Sequence, residues 1–218
     1  MNVIVYVEGK SDCLALESLF FDLLTAKQEQ GVSIRFYPAP PEGDRKTVLL
    51  TKGPRRALNI LRNQPESVVA LVPDLSPSNK GFPHASKQEL LQGIADIFKA
   101  EVERKGLSNL PDLSRRFQVF CFKHDMEVLL LAARERLAEY LACSGFAPDW
   151  AENVEEQNQD DPPSKVVARW FEKCGRRYNK TLDAREILRG ADYRLVAERC
   201  PDCFQPLVAF LESCGARA

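Results

Sequence analysis

The run "NVIVYV" at positions 2–7 consists almost wholly of β-formers and predicts a buried strand. Glu8 and Gly9 interrupt it. From Ser11, a candidate N-cap, Leu14, Leu16, Leu19, Phe20, Leu23 and Leu24 recur at helical spacing until Gly31 stops the pattern. The alternation then repeats. "VSIRFY" predicts a second strand, closed by the turn-rich "PAPPEGD", and residues 45–63 predict a helix with a break at Gly53-Pro54. "SVVALV" predicts a third strand, buried on both faces, followed by a loop over 73–84 and an amphipathic helix over about 86–105. "RFQVFCF" predicts a fourth strand and "DMEVLLLAARERLAEYL" one strong helix.

Apolar strands that alternate with helices predict an α/β fold: a parallel four-stranded sheet flanked by helices over residues 1–143. The pattern changes after Cys143. Residues 144–162 are polar, acidic and proline-containing, so a linker loop is expected there. Residues 163–218 predict short helices, a C-terminal helical extension.

Composition adds exclusions more than assignments. A formal net charge of −1 gives no global attraction to nucleic acid, so such a role has to rest on local basic patches. Arg45, Lys46, Lys52, Arg55, Arg56 and Arg62 form one; Arg115-Arg116 and Arg176-Arg177-Lys180 form others, Lys180 being a candidate phosphate-binding residue. Each reads as a solvated helix face or, where several converge near acids, as a set of phosphate contacts. No apolar run is long enough to span a bilayer and no leader pattern opens the chain, so a cytoplasmic protein without a membrane partner is expected. The seven cysteines are expected to be reduced thiols. Cys200 and Cys203, in a C-x-x-C, are expected to pack inward, with Pro201 opening the last helix. No phosphate-cradling glycine motif occurs, so any ATP-driven function needs a partner. The only histidines, His84 and His124, fall near the predicted strand ends, without a nucleophile-elbow sequence.

In an open parallel sheet, ligands bind beyond the carboxyl ends of the strands. Three predicted strands deliver acids there: Glu8 and Asp12 after the first, Asp74 with Ser76 after the third, Asp125 and Glu127 after the fourth. Clustered carboxylates repel unless a proton or cation relieves them, and hard oxygen ligands suit Mg²⁺ or Mn²⁺. Such an ion would hold a phosphate and activate water. The ordinary alternatives are a first-turn acid for Asp12, an Asx-turn for Asp74 and a solvent-facing position for Glu127. Lys10, beside the Glu-Gly turn, and Lys80, after Asp74, are candidate phosphate-binding residues; Lys80 would also offset transition-state charge.

"VIVYVEGKSD" resembles the first motif of TOPRIM domains, found in topoisomerases, primases and OLD-family nucleases. The resemblance implies that Glu8 is the general acid or base and that Asp74 holds Mg²⁺. The chain departs from the family's Asp-x-Asp at Asp74-Leu75-Ser76, which puts two-metal binding in doubt. Over most of the chain, "DLSPSNKGFPH", "FQVFCFKHDMEVLLLA", "PPSKVV", "YNKTLDAREI" and "ERCPDCFQPLVAFL" resemble a bacterial TOPRIM-like family of unknown function, often encoded beside an AAA or ABC-type ATPase. That resemblance implies a TOPRIM-like fold, a site role for Glu127, a recurring Tyr178 and Lys180 pair in the tail, and a part in defence against phage or foreign DNA. Three functions follow as expectations. The first is a Mg²⁺-dependent nuclease or phosphodiester-processing subunit acting on DNA or RNA. The second is a degenerate adaptor or sensor for an ATPase partner. The third is a small-molecule phosphate enzyme with a closed pocket. Acids within reach of one ion would favour the first, and Glu8 bound to Arg or Lys the second.

Overall fold

The computed structural model describes residues 1–40, 43–79, 81–107, 110–158 and 160–216. Its elements in chain order are β1 (Asn2–Val7), α1 (Lys10–Leu19), α2 (Phe21–Glu29), β2 (Ser33–Pro38), α3 (Arg45–Asn63), β3 (Ser67–Val72), α4 (Lys87–Arg104), α5 (Leu110–Arg115), β4 (Phe117–Val119), α6 (Val128–Ala132), α7 (Arg134–Leu141), α8 (Pro163–Lys173), α9 (Lys180–Leu188), α10 (Tyr193–Glu198) and α11 (Phe204–Ser213). The four strands form one parallel sheet in the order β2-β1-β3-β4. The α/β class expected from the alternating pattern is therefore correct.

Parallel register places Val5 beside Phe36 and Ala70, and Tyr6 beside Tyr37 and Leu71. Alternate residues face opposite sides of a strand. Val3, Val5 and Val7 thus pack with α1, α2 and the helices of 128–214, whereas Tyr6, Val69 and Leu71 pack under α3 and α4. The helices after residue 163 share the first of these cores with the sheet, and α9 lies along α1.

Several local expectations are corrected. The helix expected from Ser11 to about residue 30 is two, α1 and α2, divided at Phe20 (φ −93°, ψ 12°). Its N-cap is Gly9, not Ser11, because Asp12 reaches back to the Gly9 amide. α3 runs unbroken through Gly53-Pro54. Gly53 and Pro54 lie on its buried face, and burial of that face offsets the hydrogen bond lost at proline. A Cβ on Gly53 would come within 3.0 Å of Leu71 Cδ1, so the glycine permits the close approach of helix to strand. The single helix expected over 125–141 breaks at Ala133 into α6, buried at every position, and α7, buried only at Leu137 and Leu141. β4 is shorter than "RFQVFCF", but parallel pairing resumes where Asp74 bridges Phe122. α11 begins at Phe204, after a turn over 201–203, not at Pro201.

The cysteines also depart from expectation. Cys143 and Cys174, with Cα atoms 5.6 Å apart and so within disulfide reach, are bonded to one another. The other five are buried thiols, among them Cys200 and Cys203, packed inward as expected. No described helix is long and apolar enough to cross a membrane.

Candidate functional site

The strand order reverses between β1 and β3: the chain moves from β1 to β2 on one side and from β3 to β4 on the other. Such a switch point leaves a crevice beyond the strand ends. Glu8 leaves β1 and Asp74 follows β3 at that point, and Glu8 Oε1 accepts a hydrogen bond from the Asp74 amide at 3.0 Å.

The spacing of Glu8, Gly9 and Asp12 has a local cause. The Gly9 amide donates to Asp12 Oδ2 at 2.8 Å, closing the first turn of α1. A Cβ at residue 9 would lie 3.1 Å from that oxygen and 3.7 Å from Arg45 Nη1, so glycine keeps the turn tight. Asp12 thus fills its ordinary first-turn role with one oxygen. Its other oxygen, Oδ1, lies 3.1 Å from Lys180 Nζ.

Lys180 also lies 3.1 Å from Glu127 Oε2, while Tyr178 Oη donates to Glu127 Oε1 at 3.2 Å. Glu127 is 2 % exposed, so the solvent-facing alternative does not hold. The tail is locally built to present the lysine. The Asn179 side chain accepts from the Thr181 and Leu182 amides, and the Asn179 amide donates to Asp183 Oδ2 at 2.6 Å. These caps fix the start of α9, where Lys180 is the first residue.

The electrostatics follow from burial. Burial raises the Asp74 carboxyl well above the usual range, aided by Glu8 and Asp12 and opposed by Lys180 and Lys46. Burial likewise raises Glu8, against the Asp74 amide and Lys46. Burial raises Glu127 against Lys180. For Lys180, burial acts downward, but Glu127 and Asp12 outweigh it and the ammonium is held more firmly than normal. Burial, then Glu127, holds the Tyr178 hydroxyl protonated far into alkaline pH.

Lys46 is the residue that reasoning from the sequence missed, having been grouped with its basic neighbours. It is 8 % exposed, and its Nζ donates to the Pro77 carbonyl at 2.7 Å. The available signal was its phase: it lies three and four residues before Leu49 and Leu50, on the apolar stripe of α3.

The remaining candidates are placed as follows. Lys10 is exposed on the first turn of α1. Ser76 is half-buried before a cis peptide bond to Pro77. Lys80 lies outside the described residues. Asp125 Oδ2 accepts from the Ser164 amide and so ties the strand end to α8. His84 is held in the loop, its ring nitrogens 2.8 Å from the Phe82 and Leu75 carbonyl oxygens. His124 is buried, and burial lowers its pKa. Among the described residues, no three His, Cys, Asp or Glu side chains are arranged to hold one metal ion. Among the described residues Glu8 makes no ion pair with Arg or Lys; its Oε1 accepts from the Asp74 amide. A closed cage of acids is thus not present among the described residues; a divalent cation here would need water and substrate phosphate to complete its shell. A cavity of about 920 Å³ lies elsewhere, between α1 and the α9–α10 turn, and none of these acids lines it.

Residues 7–212 match the family described as "Domain of unknown function (DUF4276)". No curated protein matches the chain. Among solved structures, the C-terminal region of the Burkholderia pseudomallei OLD protein is similar at 15 % identity and a TM-score of 0.48, with 98 % of each chain covered. The C-terminal region of the Xanthomonas campestris pv. campestris OLD protein is similar at 13 % identity and a TM-score of 0.47, covering 98 % of this chain and 95 % of that one.

Proposed function

We propose, on the premise that this chain belongs to the DUF4276 family, that its carboxylate edge is a Mg²⁺- or Mn²⁺-dependent phosphodiester-processing site acting on DNA or RNA. One observation carries the reading. Among the described residues four carboxyl groups, Glu8, Asp12, Asp74 and Glu127, act on one another at a switch point with two lysines, Lys46 and Lys180, and the upward pressure on Glu8 and Asp74 is one that a divalent cation would relieve. Asp12 and Glu127 are already paired with Lys180, so Glu8 and Asp74 would hold the ion. When bound, the ion would polarise a phosphate and lower the cost of generating a nucleophile.

The chain's own residues would do the rest. Glu8, with Oε1 fixed by the Asp74 amide, has Oε2 to take a proton from water or return one to a leaving oxygen. Its upward shift brings it closer to the range where general acid–base work is efficient. Lys180 would offset the charge of the phosphate, as would Lys46 from α3. Lys10 and Lys80 would extend the phosphate contacts and Ser76 would border the ion. The TOPRIM-like resemblance around Glu8 agrees with this assignment, and a part in phage defence beside an AAA or ABC-type ATPase belongs to the same proposal.

The test is calorimetric titration of Mg²⁺ and Mn²⁺ into the wild type, Glu8→Gln and Asp74→Asn, followed by cleavage assays on labelled DNA and RNA. Binding lost in both variants, with cleavage that needs the metal, supports the site. A wild type that neither binds millimolar metal nor cuts in its presence sinks it. One observation favours a second reading, an adaptor serving an ATPase partner: Lys180 already neutralises the Asp12 and Glu127 side of the edge.

A further inference from the structure

The sheet face beneath α3 ends in an uncovered strip at edge strand β2. Register sets Arg35 beside Ile4 and Tyr37 beside Tyr6, so all four share the face that α3 and α4 bury further in. Arg35 and Tyr37 are nevertheless exposed, Tyr37 at 38 %. The wall above them is α3, which contains six Lys or Arg residues and no acid. In a chain of net charge −1 that single-sign helix is not a consequence of composition. Lys46 turns into the carboxylate edge, whereas Lys52, Arg55, Arg56 and Arg62 are exposed.

Wall and floor are joined. Arg56 Nε donates to Tyr6 Oη at 3.0 Å, and its guanidinium carbon lies 5.4 Å from the Tyr6 ring centroid. The Tyr6 and Tyr37 rings follow at 5.9 Å between centroids. A cavity of about 190 Å³ opens between α3 and Tyr6, lined by Tyr6, Pro40, Val48, Lys52, Gly53 and Arg56. Guanidinium, tyrosine, tyrosine is an ordered series of planar groups, half-covered on one side and open on the other. The gutter also leads to the site. Tyr37 pairs with Tyr6, two residues before Glu8, so it lies roughly 7 Å back from the carboxyl edge along the strands. The first turn of α3 reaches the edge itself, with Arg45 at the Gly9 turn and Lys46 at Pro77.

A ligand matching this strip needs a row of negative charges for α3 and flat apolar rings for the tyrosines. Nucleic acid with unpaired bases supplies both; a duplex hides its ring faces, and a polyacidic chain such as polyglutamate lacks the rings. We propose that the gutter between α3 and β2 is a track for single-stranded nucleic acid, with bases stacked on Tyr37 and phosphates on Arg35 and Arg56. The track rests on the phosphodiester reading for what happens at its end, but binding along it needs no metal.

The test is fluorescence anisotropy with a labelled oligothymidylate of about 20 nucleotides in EDTA, against a duplex of equal length, with polyglutamate as competitor. The single strand binds more tightly than the duplex and resists polyglutamate. Tyr37→Ala weakens it about 5- to 100-fold with unchanged thermal stability. The double variant Arg35→Gln, Arg56→Gln flattens the slope of log affinity against log salt by about 1.4. Equal binding of duplex, equal displacement by polyglutamate, or wild-type affinity in Tyr37→Ala each overturns the track. Metal-dependent cutting of single strands that Tyr37→Ala leaves at wild-type kcat/KM discards the track and keeps the nuclease. A wild type that binds through Tyr37 and cuts nothing with metal keeps the track and discards the nuclease.

Discussion

Glu155, buried, and Asp74, half-buried, are carboxylates pressed by the protein to different ends. Glu155, 1 % exposed, gives its two oxygens to backbone amides: Asp202 at 2.6 Å, Cys203 at 2.9 Å and Phe204 at 3.2 Å. It staples the polar segment after Cys143 to the start of α11. Among the described residues Asp74 has no such amides; its main-chain N–H instead serves Glu8, and Glu8 and Asp12 both push its carboxyl upward. Burial raises both carboxyls, but three amides restrain Glu155, whereas among the described residues the rise at Asp74 is opposed by Lys180 and Lys46. The contrast separates a buried acid whose lone pairs are spent within the fold from one left under-compensated.

The sharpest test of that contrast is activity. Glu8→Gln removes the proton-accepting oxygen and should lower metal-dependent cleavage about 10²- to 10⁴-fold, read as kcat on labelled oligonucleotide, with little loss of fold by circular dichroism. Glu155→Ala should do the reverse. It leaves three amides without their acceptor, for about 3 kcal/mol of stability or roughly 6–12 °C in Tm, measurable by thermal melting. An unchanged Tm there would break the comparison, because Glu155 would then hold nothing.

Lys180→Gln falls between the two. It strips the counter-charge from Glu127 and Asp12 and should cost about 1–2 kcal/mol, the lysine being partly solvated. Without the lysine, burial raises Glu127 further, so the deficit in Tm should shrink as pH falls and Glu127 takes up its proton. The smallest effect has the opposite sign. Asp74 binds its proton more tightly folded than unfolded, so its contribution is full below the unfolded pKa of about 4 and is lost as pH rises through the folded value. Asp74→Asn, which imitates the protonated form, should therefore raise Tm by about 2–4 °C at pH near 8 and by nothing near pH 3. A variant that melts lower than wild type at both pH values would remove the claim that this edge is strained by its own charge.

The sequence made the sheet and the acids at its edge legible for one reason: each strand is a continuous apolar run, and the acids stand directly after it. Long-range partners were not legible. Glu155 lies in a stretch whose polarity reads as a linker, and its acceptor role depends on amides 47 to 49 residues away. Lys46 was hidden by basic neighbours, although its helical phase marked it. The break at Phe20 and the continuity through Pro54 both reverse local propensity, because the packing of α2 against β2 and of α3 against β3 decides them. Cys143 and Cys174 meet only after α7 and α8 are placed.

The ion pair that α9 makes with α1 also sets an order of events. A ribosome releases Glu8, Asp12 and Asp74 well before Lys180, and early segments begin to fold while later ones are still being made. Until the tail docks, the crevice lacks one of its two compensating lysines and the nascent sheet carries an uncovered acidic rim. Charge balance at the edge is thus coupled to the synthesis and docking of α9: Lys180 arrives only with the segment that packs along α1.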